Sequence, residues 1–147
     1  MERVLILIKP DATYRALAGI VLDQLMSDSI HLIGLKMVVP SKKQAQKHYE
    51  LLKDKPFFKQ IVEYLSGNLH HGYPVVAMVF EGKDAIKKCR HLAGATNPEE
   101  AGPHTIRGKY GRVTTKGLYE NVVHVSSSVE EGKREVKLWF KPSELIK

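Results

Sequence analysis

Two uninterrupted apolar runs of strand length dominate the hydrophobic pattern, at residues 4–8 and 74–80. Runs without polar alternation are typical of central strands that are buried on both faces. Residues 30–39 predict a third strand, and a short β-branched run over residues 121–124 predicts a fourth. These strands together predict a single four-stranded sheet.

Helical periodicity occupies most of the segments between the strands. Residues 17–26 place these apolar side chains on one side of a helix: Ile20, Val21, Leu25 and Met26. Further helices are predicted over residues 41–52, 57–65, 84–92 and 129–140. Residues 94–120 instead predict a long loop rich in Gly, Thr and basic residues, and such a loop in a compact domain is usually functional.

The order of elements is β-α-β-α-α-β-α-loop-β-α, which places the chain in the α/β (α+β) class. Two split β-α-β units predict a ferredoxin-like sandwich, a four-stranded antiparallel sheet with helices on one face. Residues 1–147 contain no internal repeat, low-complexity tract or linker. We therefore expect one domain over the whole chain.

The segment Asn-Val-Val-His-Val-Ser-Ser-Ser, residues 121–128, combines a strand, a histidine and the start of a helix. Ser126 to Ser128 offer N-caps, and two acids follow in the first helical turn. His124 is therefore expected at a strand end that faces a helix N-terminus, where backbone N–H groups bind anions. A neutral imidazole can carry a phosphoryl group, although a lone histidine beside a strand is more often structural.

The net charge of +7, with a pI near 9.5, favours anionic partners such as nucleotides, nucleic acid or membrane surfaces. A solvated basic surface is the alternative. Cys89 is the only cysteine, so an internal disulfide is excluded, and the adjacent His70 and His71 point in different directions and predict no metal site. Without a long apolar run or a signal-peptide pattern, we expect a cytoplasmic protein that does not span a membrane.

Motifs spread from about residue 3 to residue 145 together resemble the nucleoside diphosphate kinase family. They occur in the family's order and mostly at its spacing, which is far more specific than any one motif. The motifs are Lys9-Pro10-Asp11, His48-Tyr49, Lys53-Asp54-Lys55-Pro56-Phe57-Phe58, Pro74-Val75-Val76-Ala77-Met78-Val79, Gly94-Ala95-Thr96-Asn97-Pro98, Thr105-Ile106-Arg107-Gly108, Asn121-Val122-Val123-His124 and Leu138-Trp139-Phe140-Lys141-Pro142.

The resemblance implies a two-step transfer in which a nucleoside triphosphate, mainly ATP, phosphorylates His124 and a nucleoside diphosphate removes the phosphate. It also implies Mg²⁺ carried by the nucleotide phosphates and no metal held by the protein itself. A homo-oligomer, most often a hexamer, is the expected assembly. Broad specificity for base and sugar is expected, because stacking accepts any base.

The resemblance implies a role for each matching position. Glu135 would orient the imidazole of His124, with Ser126 close behind. Phe57 would stack on the base and Asn121 would bind the ribose. The residues expected around the phosphates, with Tyr49 nearest the transferred group, are Lys9, Tyr49, Arg90, Thr96 and Arg107. Core packing of Phe57, a solvated helix acid at Glu135, and surface ion pairs at the two arginines are the alternatives from the residues alone.

The chain departs from the family pattern in four places. Val125 is bulkier than the usual residue after the histidine. Ser127 replaces an acid that often pairs with a basic residue at the position of Arg15, so Arg15 is expected to lack a partner. Residues 68–73 and 109–120 are longer than in the commonest members. The second longer stretch leaves Val113 and Leu118 as alternatives for the other face of the base.

A protein that binds nucleotides or nucleic acid without turnover is the second hypothesis, since a ferredoxin-like sheet is a common RNA-binding platform. No basic-aromatic RNA-binding pattern is present, and a binder would not need His124, Glu135 and Ser126 together. The sequence therefore favours the enzyme, with nucleic-acid binding as a secondary interaction.

Overall fold

A four-stranded antiparallel sheet forms the centre of the computed structural model, which describes residues 1–27 and 29–146. Its strands in spatial order are β2 (Ile30–Val38), β3 (Val75–Gly82), β1 (Glu2–Ile8) and β6 (Val123–Val125). A separate hairpin consists of β4 (Arg112–Val113) and β5 (Tyr119–Glu120). The predicted ferredoxin-like α+β fold is confirmed.

Helices pack on both faces of the sheet, so the expectation of helices on one face is wrong. Every side chain from Val4 to Ile8 is fully buried, and alternate positions enter two different cores. One core lies under α1 (Pro10–Tyr14), α2 (Ala18–Leu25) and α5 (Ala85–Ala93). The other lies under α3 (Lys42–His48), α4 (Phe58–Leu65) and α7 (Val129–Trp139). An apolar strand without alternation requires cover on both sides.

Serine caps fix the starts of two of these helices. Ser41 Oγ accepts a hydrogen bond from the Gln44 amide at 3.1 Å, and Ser128 Oγ accepts one from the Glu131 amide at 3.2 Å. Four of the five predicted helices end within one residue of their predicted bounds. The predicted helix over residues 41–52 is interrupted after His48, and a 3₁₀ turn (Glu50–Leu52) follows.

The stretch predicted as a loop over residues 94–120 contains ordered elements. They are a 3₁₀ turn (Pro98–Glu100), α6 (Ile106–Tyr110) and the β4–β5 hairpin. Thr105 caps α6, because its Oγ1 accepts a hydrogen bond from the Gly108 amide at 3.1 Å. Helices α1 and α6 have five residues each and are too short to show periodicity, which explains why the hydrophobic pattern did not predict them.

The longest described helix, α7, has 11 residues, whereas a helix that crosses a bilayer needs about 20. Within residues 1–27 and 29–146, no helix is long and apolar enough to span a membrane.

Candidate active site

A cavity of about 620 Å³ opens beside β6 and is bounded by segments that are distant in sequence. Its volume is in the range of roughly 300–1,000 Å³ that small-molecule sites occupy. The predicted site residues that line the cavity are Lys9, Tyr49, Phe57, Arg90, Thr96, Arg107, Asn121, His124 and Glu135. Ser126 is the one predicted site residue outside this lining, because it is fully buried behind the cavity wall.

His124 lies in the middle of β6, opposite Leu7 of β1. Val123 and Val125 on either side point into one core, so the His124 side chain points to the other face of the sheet. There it meets Glu135, which lies in the second half of α7. The expected position near a strand end is confirmed, since β6 ends one residue after the histidine. The side chain contacts the second half of α7 and not its N-terminus, so that part of the expectation is wrong.

A buried carboxylate orients the histidine. His124 Nε2 and Glu135 Oε2 are 3.0 Å apart, and Ser126 Oγ donates a hydrogen bond to the same oxygen at 2.6 Å. Ser126 Oγ also accepts a hydrogen bond from the Leu5 amide at 3.0 Å. Glu135 is only 3% exposed, so the alternative of a solvated helix acid is excluded. The carboxylate favours a proton on Nε2, which leaves Nδ1 with a free electron pair.

The electrostatic environment keeps this imidazole neutral. Burial lowers the pKa of His124 well below its ordinary value, and the positive charges of Lys9 and Arg107 lower it further. Burial also raises the pKa of Glu135, against the opposing effect of His48 and the Ser126 hydrogen bond. A neutral ring with a free nitrogen is the nucleophilic form of histidine.

A second histidine, His48, packs edge-on against the first. The two ring centroids are 4.3 Å apart at an interplanar angle of 82°. Trp139 Nε1 donates a hydrogen bond to His48 Nδ1 at 3.1 Å, and burial lowers the pKa of His48 well below its ordinary value. The proton of the neutral ring must then be on Nε2. The family motif marked His48, but nothing in the sequence predicted this contact.

His48, His124 and Glu135 could in principle hold a metal ion, since their ligand atoms lie within 4.8 Å of one another. The hydrogen bond from Trp139 argues against it, because a ring nitrogen that carries a proton cannot bind a metal. Glu135 is in addition already engaged with His124 and Ser126. The donor set does not fit a metal held by the protein.

Two buried basic side chains form the basic part of the cavity. Lys9 Nζ donates a hydrogen bond to Asn121 Oδ1 at 2.7 Å, and burial together with nearby Arg107 lowers the pKa of Lys9 to about 7. Arg107 donates to the carbonyl oxygens of Gly94 at 2.9 Å and Val123 at 2.8 Å. Burial also lowers the pKa of Arg107 to about 10. A surface ion pair is therefore excluded for Arg107, whereas Arg90 at the cavity wall is exposed.

The remaining predicted residues complete the walls. Burial raises the pKa of Tyr49, so its hydroxyl stays protonated and can donate a hydrogen bond. Asn121 Nδ2 donates to the carbonyl oxygen of Thr96 at 2.9 Å, which joins two segments of the wall. Phe57 is 45% exposed, so core packing does not explain it. Leu118 lines the cavity and Val113 does not, which favours Leu118 as the second apolar wall.

A buried acid below the cavity was not predicted as part of the site. Asp11 accepts a hydrogen bond from the Tyr64 hydroxyl, and Lys9 Nζ lies 5.0 Å from the centre of the Tyr64 ring. Arg15 Nη2 is 3.8 Å from Asp11 Oδ2, and the same nitrogen donates to the Tyr110 carbonyl oxygen. The expectation that Arg15 lacks a partner is wrong, because Asp11 supplies a charge four residues away on the same turn.

A basic cavity with an oriented neutral histidine and an exposed aromatic ring, built on a ferredoxin-like sheet, defines a phosphotransferase of the nucleotide-dependent kind. A family model described as nucleoside diphosphate kinase matches residues 2–145. The chain belongs to the nucleoside diphosphate kinase family.

Individual members of the family are similar to this chain over nearly its full length. A nucleoside diphosphate kinase from Pyrococcus horikoshii is 41% identical over 145 residues, which are 99% of this chain and 88% of that protein. The structure of a halophilic nucleoside diphosphate kinase from Halobacterium salinarum in complex with CDP is 36% identical, with a TM-score of 0.88 over 99% of this chain and 91% of that one. A transition state mimic of the Borrelia burgdorferi enzyme with vanadate and ADP is 28% identical, with a TM-score of 0.88 over 99% and 90%.

Proposed function

We propose that this chain transfers the γ-phosphate of a nucleoside triphosphate to a nucleoside diphosphate through a phosphorylated His124. The hydrogen bond between His124 Nε2 and Glu135 is the observation that supports this proposal most strongly, since it leaves Nδ1 with the free electron pair that attacks the phosphorus. Relatives with bound CDP and with ADP and vanadate support nucleotides as substrates. Family membership favours this function over nucleic-acid binding without turnover.

In the first step, the electron pair of His124 Nδ1 attacks the γ-phosphorus, and the bond between phosphorus and the β–γ bridging oxygen breaks. The nucleoside diphosphate leaves with those electrons. Positive charge develops on the ring, and the Glu135 carboxylate stabilises it through Nε2–H. In the second step a terminal oxygen of another nucleoside diphosphate attacks the phosphorus, and the bond to Nδ1 breaks.

Charge and position supply most of the catalysis in phosphoryl transfer. We assign Lys9, Arg90 and Arg107 to the phosphate oxygens, because they lie on separate segments around one cavity. The Tyr49 hydroxyl and Thr96 would add neutral hydrogen bonds, with Tyr49 nearest the transferred group. Arginine can present two parallel donors to one phosphate, which suits a clamp.

The nucleoside would bind at the more open side of the cavity. Asn121 would bind the ribose hydroxyls, and Phe57 would stack on the base with Leu118 on the opposite side. Both contacts act on features that all bases share, so we propose broad base specificity.

Mg²⁺ fits this site as an ion carried by the nucleotide. The cavity carboxylates are Glu131 and Glu135, and Glu135 is committed to the histidine. Phosphate oxygens would therefore hold the ion, which would neutralise charge on the phosphates when bound.

We also propose that the chain forms a homo-oligomer in the cytoplasm, with a hexamer as the assembly that the resemblance implies. Strand β2 lies at the edge of the main sheet and exposes the apolar side chains Leu35 and Met37, and the exposed Val39 follows directly after the strand. Exposed apolar side chains at an edge strand favour association with a second copy. Light scattering with Met37→Lys tests this surface: a loss of oligomer is expected, and an unchanged mass would contradict it.

Steady-state kinetics test the transfer mechanism. With ATP and GDP varied together, a two-step exchange predicts parallel lines in double-reciprocal plots. Intersecting lines would indicate direct transfer in a ternary complex and would overturn the phosphohistidine. Activity should depend on Mg²⁺ and only weakly on salt, whereas nucleic-acid binding weakens steeply as salt rises.

A further inference from the structure

Residues 68–73 and 109–120, the two segments expected from the resemblance to be longer than in the commonest family members, contact each other. His70, from the loop at residues 66–73, places Nε2 2.7 Å from Oε1 of Glu120, the last residue of β5. The side chains are only 8% and 7% exposed. We propose that His70 is a positioning residue: its bond to Glu120 holds the β4–β5 hairpin against the cavity and thereby sets the affinity for the nucleoside part of the substrate. This inference rests on the proposed nucleotide site.

The hairpin supplies one wall of the cavity. Arg112 of β4 pairs with Glu120 in register, and its Nε donates to the second carboxylate oxygen of Glu120. The tip is closed by bonds between Thr114 and Leu118, including the Thr114 amide to the Leu118 carbonyl at 2.9 Å. The hairpin residues that line the cavity are Gly117, Leu118 and Tyr119. Displacing the hairpin would therefore move the wall opposite Phe57.

His70 connects this wall to the floor of the site. Its ring packs against Tyr64 with centroids 5.4 Å apart, and the Tyr64 hydroxyl donates to the buried Asp11. Glu120 immediately precedes Asn121, whose Oδ1 accepts a hydrogen bond from Lys9. The His70–Glu120 bond thus holds the hairpin directly beside Asn121, the residue that we assign to the ribose.

The contact between His70 and Glu120 favours the charged form of the Glu120 carboxyl group. Burial favours a neutral Glu120, but hydrogen bonds from Arg112 and His70 outweigh it and hold the pKa of Glu120 below its ordinary value. The carboxylate then accepts from both partners, and His70 donates through Nε2. Replacing His70 by an apolar residue leaves a mostly buried carboxylate with only an exposed arginine as its partner.

The test compares ligands that contain a nucleoside with a ligand that contains only phosphate groups. We compare binding of ADP, CDP and inorganic pyrophosphate by titration calorimetry in the wild type, His70→Leu and His70→Gln. His70→Leu should weaken ADP and CDP about tenfold and leave pyrophosphate unchanged, because pyrophosphate lacks the nucleoside that the hairpin wall is proposed to contact. His70→Gln keeps a donor near Nε2 and should restore most of the affinity. His71→Asn is the matched control, since Asn tolerates the positive φ of 55° there.

Glu120→Gln provides a second route to the same result. It should produce a similar loss for ADP, and the double variant with His70→Leu should lose no more than either single variant. Unchanged ADP affinity in folded His70→Leu would overturn the inference. An equal loss of pyrophosphate would overturn it too, since the effect would then not be confined to the hairpin. Failure of the wild type to bind ADP would instead overturn the proposed function.

Discussion

Glu135 Oε2 lies 3.0 Å from His124 Nε2, across the space between the sheet and α7. Because Ser126 donates to the same oxygen, the carboxylate is fixed from two sides. This one relationship determines which ring nitrogen is available and which group balances the charge that develops on the ring. The proposed phosphoryl transfer therefore depends on this contact.

Glu135→Gln tests that relationship. The amide keeps the size of the side chain but removes the charge, so we expect the rate of His124 phosphorylation to fall about 10²-fold, similar to other losses of one preorganised electrostatic contact. ADP affinity should stay within about twofold. Rapid-quench measurement of phosphoenzyme formation gives the rate. Glu130→Gln, on the exposed side of the same helix, should behave as the wild type. A normal rate in Glu135→Gln would show that the carboxylate has no catalytic role.

The pH dependence of the first step follows from the lowered pKa of His124. The neutral ring is the reactive form, and it predominates above the folded-state pKa, which lies well below 6.5. We therefore expect the single-turnover rate at saturating ATP to be nearly constant from pH 8 to 6.5 and to fall only at lower pH. A midpoint near 6.5 or above would contradict the burial of the imidazole.

The lowered pKa of Lys9 leads us to expect that the protein takes up a proton when a nucleotide binds. With a pKa of about 7, most of the free protein has a neutral Lys9 at pH 8, and bound phosphate favours the charged form. Binding at pH 8 should take up a fraction of a proton approaching one, and this uptake should disappear at pH 6, where Lys9 is already charged. Calorimetry of ADP binding in buffers of different ionisation enthalpy measures it. Lys9→Met should bind ADP more weakly without the uptake at pH 8, and an unchanged uptake in this variant would assign the proton elsewhere.

Phe57→Ala should weaken ADP and CDP binding alike, by the ~1–3 kcal/mol that a stacked base contributes. The ring is exposed at the cavity, so the variant should unfold at nearly the same temperature as the wild type. Ile20→Ala removes another exposed apolar side chain outside the cavity and serves as the control. A loss confined to one base would contradict the proposed broad specificity.

Local pattern predicted the main elements of the fold because buried strands and capped helices leave signals within a few residues. The apolar run at residues 4–8 and the caps at Ser41 and Ser128 are examples. The motif resemblance identified the site residues, and the structure places nine of them around one cavity and Ser126 behind it. Their individual roles stay predictions.

Contacts between distant segments could not be predicted in this way. The bond from Trp139 to His48 spans 91 positions and the bond from His70 to Glu120 spans 50, and neither has a local signature. The helices on both faces of the sheet follow from the same non-local packing. The apolar run at residues 4–8 already required cover on both faces of the sheet. The expectation of helices on one face came from the ferredoxin-like topology alone and was wrong.

The mass of the intact protein after brief incubation with ATP and Mg²⁺, followed by GDP, shows directly whether His124 carries the transferred phosphoryl group. We expect one added phosphoryl group, its removal by GDP with formation of GTP, and no addition in His124→Gln that still binds ADP. A wild-type protein that binds ATP but gains no phosphoryl group, or a His124→Gln variant that gains one, would contradict this expectation.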